Sequence, residues 1–221
     1  MNEKNKNSNL ITKIRDVFIK NFKILTLTIT IIFILFILFQ VYNYFKVREL
    51  KKTSTDFFNS IDEVNLIDDN FNDIKNKKNI FSTLSYLKLI QKNNDDNNYD
   101  ISNELYRELL LSNDLSNLYK SSIAIHASYT FIDASYLQNS NVYFDDLLFF
   151  TDNIDENIES FYGIKKELEY LIIITEIDLN NSDYKNNSKA IDMYNEISNS
   201  DLISSSIKER VKKIHEFQLY K

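Results

Sequence analysis

"KILTLTITIIFILFILFQVYNYFKVRELKK", Lys23 to Lys52, contains 22 consecutive residues without a charge, Ile24 to Phe45, with a lysine on each side. At about 1.5 Å per residue such a helix spans roughly 33 Å, enough for the roughly 30 Å hydrocarbon core of a bilayer. A secretory leader has a shorter apolar core, about 7–15 residues, followed by small residues at a cleavage site. Here Gln40-Val41-Tyr42-Asn43-Tyr44-Phe45 follows instead, and its aromatic residues fit the belt at a membrane interface. A soluble helix would show a polar face, and this one has none. The expectation is an uncleaved signal anchor over 24–45, preceded by a basic tail (1–23) and followed by a juxtamembrane linker (46–55). Six Lys/Arg lie in residues 1–23 against four at Lys46, Arg48, Lys51 and Lys52, so the positive-inside bias leans towards a cytoplasmic N-terminus.

Beyond the anchor the charge reverses. Residues 53–221 carry 16 basic and 29 acidic side chains, a net of −13, which excludes the basic footprint that nucleic acid requires. About 165 residues suffice for a core without disulfides or metal clips, and the chain has no cysteine. Proline is absent and glycine occurs once, at Gly163. Sheets and tight turns draw on both residues, so the composition predicts an all-α domain over 56–221 with Asn/Asp/Ser turns. The polar clusters Asn93–Asn98, Ser112–Asn117, Gln138–Asn141, Asn180–Ser188 and Ser198–Leu202 mark those turns. Apolar residues recur at three and four between them, as at Leu84, Leu87 and Ile90, Ile101, Leu105 and Leu109, or Ile207, Val211 and Ile214. This pattern predicts seven or eight helices of about 10–18 residues. The β-branched run at Tyr170–Thr175 reads as helix because its charged flanks continue the helical period.

Two features point to stacked helix pairs. Three of the four alanines, Ala124, Ala127 and Ala134, fall in one segment at spacings of three and seven, which keeps one helix face small for a close neighbour. "YRELLLSNDL" from Tyr106 and "YNEISNSDL" from Tyr194 echo one another 88 residues apart, with room for one more pair between them. The stretch Ala190-Ile-Asp-Met-Tyr194-Asn-Glu-Ile197 resembles the second helix of a tetratricopeptide repeat, and Ser102, Tyr106 and Leu109 repeat its spacing. The whole layout, a basic tail, one N-terminal anchor and a repeat domain of this size, resembles the bacterial YfgM-like family, whose repeat domain is shared with CpoB. The resemblance implies a TPR-like α-solenoid of antiparallel helix pairs, held periplasmic on a single-pass inner-membrane anchor. It also implies a non-enzymatic scaffold with the SecYEG translocon or periplasmic chaperones as partners. A tethered structural module in envelope or cell-division assembly is the alternative.

The residues offer little to catalysis. One glycine cannot build a phosphate-binding loop, and His215 has no second histidine one turn away for zinc. His126 sits among Ile125 and two alanines as a packed or capping ring, and the pairs Asp68-Asp69, Asp95-Asp96 and Asp145-Asp146 read as solvated turn residues. No catalytic residue, cofactor, metal or small-molecule substrate is expected. The residues expected to matter are those of helix packing: Ala124, Ala127, Ala134, Ala190, Tyr106 and Tyr194. Tyr86, Tyr99, Tyr119, Tyr129, Tyr136 and Tyr170 divide between inter-helix packing and the lining of a peptide groove, with packing favoured.

Overall fold

The computed structural model describes residues 19–62, 67–77, 79–112 and 115–221. The basic tail up to residue 18, Asn113–Asp114 of the Ser112–Asn117 cluster and the side chains of Asp68 and Asp69 lie outside the described residues. The chain divides into two compact units, Met1–Asn59 and Ser60–Lys221. Among the described residues there are nine α-helices and no strand.

Helix α1 is Phe22–Asp62, one unbroken helix that includes residues 46–55. It is long and apolar enough to cross a membrane. From Ile24 to Phe45 every large apolar side chain described is exposed. Fifteen of these 22 residues are Ile, Leu, Phe or Val. At about −0.3 to −0.6 kcal/mol each, insertion into a bilayer gains about −5 to −9 kcal/mol. The three threonines do not oppose it. Thr26, Thr28 and Thr30 each donate to the carbonyl four residues back, at 2.8, 2.9 and 2.8 Å, so none of the three threonine hydroxyls is left to find water.

The second unit continues with α2 (Ile67–Lys75), α3 (Ile80–Asp95), α4 (Tyr99–Leu111), α5 (Asn117–Gln138), α6 (Phe144–Asp152), α7 (Glu159–Leu179), α8 (Ser188–Asn199) and α9 (Ser205–Tyr220), with a 3₁₀ turn at Tyr184–Asn186. The Tyr170 run lies inside α7. Two helices exceed the expected length: α5 has 22 residues and α7 has 21. Each helix packs on the next along the chain, and α5 also packs on α7 and α7 on α9.

Asparagine does the turning that glycine usually does. Asn97, Asn139 and Asn181 are the described non-glycine residues with positive φ (59°, 48° and 51°), and they follow α3, α5 and α7 at intervals of 42 residues. Asparagine visits the left-handed region more readily than other side chains because its short amide bonds locally. At each site the next amide donates back across the turn, Asn98 N to Asn93 O at 2.7 Å, Ser140 N to Ser135 O at 3.1 Å and Ser182 N to Ile177 O at 2.9 Å. These are Schellman closures, and they satisfy carbonyls that a helix end would otherwise leave open. Helix starts are capped in the same idiom, with Asn79 accepting from Phe81 N at 2.9 Å and Asn187 from Ala190 N at 3.0 Å.

The core joins α4, α5 and α6 through aromatic rings. Phe131 meets Tyr143 at 4.9 Å, Phe150 at 5.3 Å and Tyr106 at 6.1 Å between centroids, tilted or edge-on. Ala124, Ala127 and Ala134, with Ser121, Ser128 and Ser135, are fully buried on α5. The one glycine is not in a turn. Gly163 lies in α7, where a Cβ would come within 3.0 Å of Ile207 Cδ1 on α9.

Two measurements test this packing. Ala127→Leu adds methylenes where no space exists, so it should cost about 1–3 kcal/mol, whereas Ser122→Leu at an exposed position of the same helix should change little. Asn139→Ala should cost about 1 kcal/mol by placing an alanine at positive φ, and Asn139→Gly should not. Denaturation midpoints of the detergent-solubilised chain, followed by near-ultraviolet tyrosine dichroism, read both.

Candidate functional site: an open seam between two helices

The second helices of successive pairs meet differently along the domain. Between α5, α7 and α9 the seams are closed by two polar clamps centred on α7. Glu167, 2% exposed, accepts from Arg210 Nε at 2.6 Å and Nη2 at 2.5 Å on α9, and from the Tyr129 hydroxyl at 3.4 Å on α5. Three turns on, Asp178 accepts from Tyr136 of α5 at 3.0 Å and from Gln218 of α9 at 3.0 Å. Burial and the Glu167 charge push the Tyr129 phenol up to about 12, and burial with Asp178 does the same for Tyr136.

Between α3 and α5 there is no such closure among the described residues. The two helices run in the same direction and leave a groove of about 800 Å³. Ile80, Thr83, Leu115 and Tyr119 meet at the end where both helices begin. Asp95, Tyr99 and Asp133 mark the other end, where the Tyr99 ring lies 6.4 Å from Phe131. The floor is Ile90, Tyr99 and Ile123, all buried, and the walls are Leu84 and Leu87 from α3 and Tyr119 and Leu137 from α5. Ile80, Leu84, Tyr119 and Leu137 are each exposed by a third or more.

The groove also carries polar side chains, Thr83, Gln91, Ser122 and Thr130 among them. Asn94 Oδ1 is buried without a hydrogen-bond partner. His126 Nδ1 is 2.5 Å from the Tyr106 hydroxyl, which leaves the ring's other edge towards the groove. Asp95 and Asp133 are exposed, and no Lys or Arg lines the groove among the described residues.

The residues singled out from sequence fall on both sides of this arrangement. Ala124, Ala127 and Ala134 are buried on the face of α5 away from the groove, and Ala190 is buried on α8. Tyr106 is fully buried on α4. Tyr194 is half-buried and stacks on His215 at 3.7 Å, with ring planes 6° apart. Among the other tyrosines, Tyr99 and Tyr119 line the groove, while Tyr170 is core and bonds Tyr184 at 3.0 Å. Asp146 is not a solvated turn residue: in the first turn of α6 it takes an ion pair from Arg107, whose guanidinium also lies 4.3 Å from the Phe149 ring centre. No known family, characterised protein or solved structure matches the chain.

Both histidines are tied to tyrosines, His126 to Tyr106 and His215 to Tyr184, each at 2.5 Å. Burial holds both imidazoles below the usual histidine value, with Glu216 pulling His215 partly back. The unfolded chain therefore takes up protons first as pH falls below about 6.5, and stability drops. Asp155 and Glu209 are held low by their hydrogen bonds to Asn157 and Lys213, so their loss comes below the carboxylate values of 3.8 and 4.5, in a separate window. The denaturation midpoint should fall between about pH 7 and pH 5. The double variant His126→Gln, His215→Gln should flatten that slope, and an unchanged slope would remove the histidines as its cause.

Proposed function

We propose that the chain is a membrane-anchored, TPR-like scaffold that binds other proteins through the seam between α3 and α5. The observation that carries this reading is the seam itself: a largely apolar groove with exposed leucines, in a domain whose corresponding seams are closed by hydrogen bonds to Glu167 and Asp178. Large apolar side chains held open on a folded surface favour a partner that covers them. Stacking of α5 on α7 and α7 on α9, with asparagine closures every 42 residues, supports an α-solenoid of antiparallel helix pairs. The excess of basic residues before α1 supports a cytoplasmic N-terminus, which puts the repeat domain in the periplasm of a bacterial inner-membrane protein. The YfgM-like layout names the partners to look for first, the SecYEG translocon and periplasmic chaperones. A non-enzymatic role fits the groove's hydroxyls and imidazole, which are engaged locally: Ser122 donates to Leu118 O, Thr130 to His126 O, and His126 Nδ1 is held by the Tyr106 hydroxyl.

The test is photo-cross-linking from position Thr83 of the full chain in its own membrane, with partners identified after mild detergent extraction. Cross-links to a small set of proteins are expected, and Leu84→Glu should remove them while leaving the helical content unchanged. Cross-links that survive both Leu84→Glu and Leu137→Glu would place the interface elsewhere.

A further inference from the structure

The closed seams show what the open one lacks. On α7, Glu167 and Asp178 each receive donors from both flanking helices. In the seam between α3 and α5 the carboxylates are Asp95 and Asp133, and neither has a side-chain partner among the described residues. Asp95 is the last residue of α3, where the peptide dipoles add partial negative charge, and Asp133 lies further inside α5. Asn94 Oδ1, buried nearby, is one more acceptor awaiting a donor. The seam is thus acceptor-rich at one end, and among the described residues its own lining holds no Lys or Arg, although Lys88 and Lys92 of α3 share a neighbouring pocket with Asp95.

From this complementarity, and resting on the scaffold reading above, we propose that the seam takes a basic amphipathic helix of a partner protein. That helix lays its apolar stripe on Leu84, Leu87 and Ile123 and its lysines or arginines over Asp95 and Asp133. Three observations favour a helix over an extended peptide. The backbone groups of α3 and α5 are bonded within their own helices, so a strand would find no edge to pair with. Both walls present side chains one turn apart, Ile80, Leu84, Leu87 and Gln91 on one side and Tyr119, Ile123, His126 and Thr130 on the other, the ridges between which a third ridge interdigitates. The α5 wall from Tyr119 to Leu137 is about 27 Å long at helical rise, the length of about 18 residues of a seated helix.

The experiment uses the full chain in zwitterionic phosphatidylcholine nanodiscs, with empty discs as the reference. The probe is a labelled synthetic helix of about 18 residues, leucines on one face and lysines on the other. Two relatives serve as controls, one with glutamate for lysine and one shuffled to destroy the stripe. Fluorescence anisotropy should show the lysine helix binding at least about tenfold tighter than either control. Hydrogen exchange should show protection in α3 and α5. The double variant Asp95→Lys, Asp133→Lys, confirmed folded by circular dichroism, should weaken the lysine helix by about tenfold or more and favour the glutamate helix. Equal binding of all three peptides, binding unchanged by the double variant, or protection confined to other helices would overturn the proposal. If the lysine helix fails to bind while Leu84→Glu still removes the membrane cross-links, the scaffold reading stands and the partner's chemistry is wrong. If the cross-links also survive, the scaffold reading falls with it.

Discussion

Glu167 governs how the C-terminal half of the domain is held. A carboxylate at 2% exposure is costly to bury alone, and here it is compensated by a two-pronged arginine from one neighbour and a phenol from the other. Because the donors come from α9 and α5, the hydrogen bonds are made only when both helices lie at one spacing and one register on α7. Asp178 repeats the condition further along the same helix. Removing Arg210 would leave a buried charge unpaired, which typically costs more than the pair contributes. Gly163 allows α9 to approach near the other end of α7, where Ile207 leaves no space for a Cβ without moving.

Upstream of that clamp aromatic rings join the helices and reach the groove at more than one point: Tyr106 bonds His126, Tyr143 lies 6.4 Å from Tyr99, and Phe131 sits among them. Phe131 contacts Tyr106, Tyr143 and Phe150, and its remaining neighbour, Tyr99, is part of the groove floor. The small residues of α5 make room for these rings: an alanine at 124, 127 and 134 brings the helix close enough for side chains from α4 and α6 to meet over Phe131. The same small face also sets where the opposite face of α5 points. Tyr119, Ile123, His126 and Leu137 are offered to the seam because the alanines and serines face inward.

Much of this was legible in the chain before any coordinates. The uncharged run from Ile24 to Phe45 is decided by length, and the helical class by the near absence of glycine and proline. Polar clusters located the turns because asparagine carries its own local signal, its tolerance of positive φ. The clamp and the groove were not legible, for a physical reason. Glu167 sits in "KKELEY", which reads as any solvated helix face, and its partners lie 38 and 43 residues away. Leu84 and Leu87 follow an ordinary amphipathic stripe; periodicity says that a face is apolar, not that its partner is missing. Asp146 was misread for the same reason, since Arg107 is 39 residues distant.

The groove between α3 and α5 carries two exposed carboxylates, Asp95 and Asp133, in its lining. Among the described residues no Lys or Arg lines that groove, and Asp95 adds to the negative end of α3. On the far side of α5, Glu167 and Asp178 each receive donors from both neighbours, which Asp95 and Asp133 do not among the described residues. The domain that carries them is net acidic, so its summed field opposes the approach of an acidic partner and draws a basic one. The desolvation cost of closing the seam on itself would fall on two unpaired carboxylates and on Asn94. A ligand that brings its own positive charge removes that cost and covers Leu84 and Leu137 in the same step. Under the proposal above, the acidic end that no helix of this domain neutralises is the feature a basic partner would meet first.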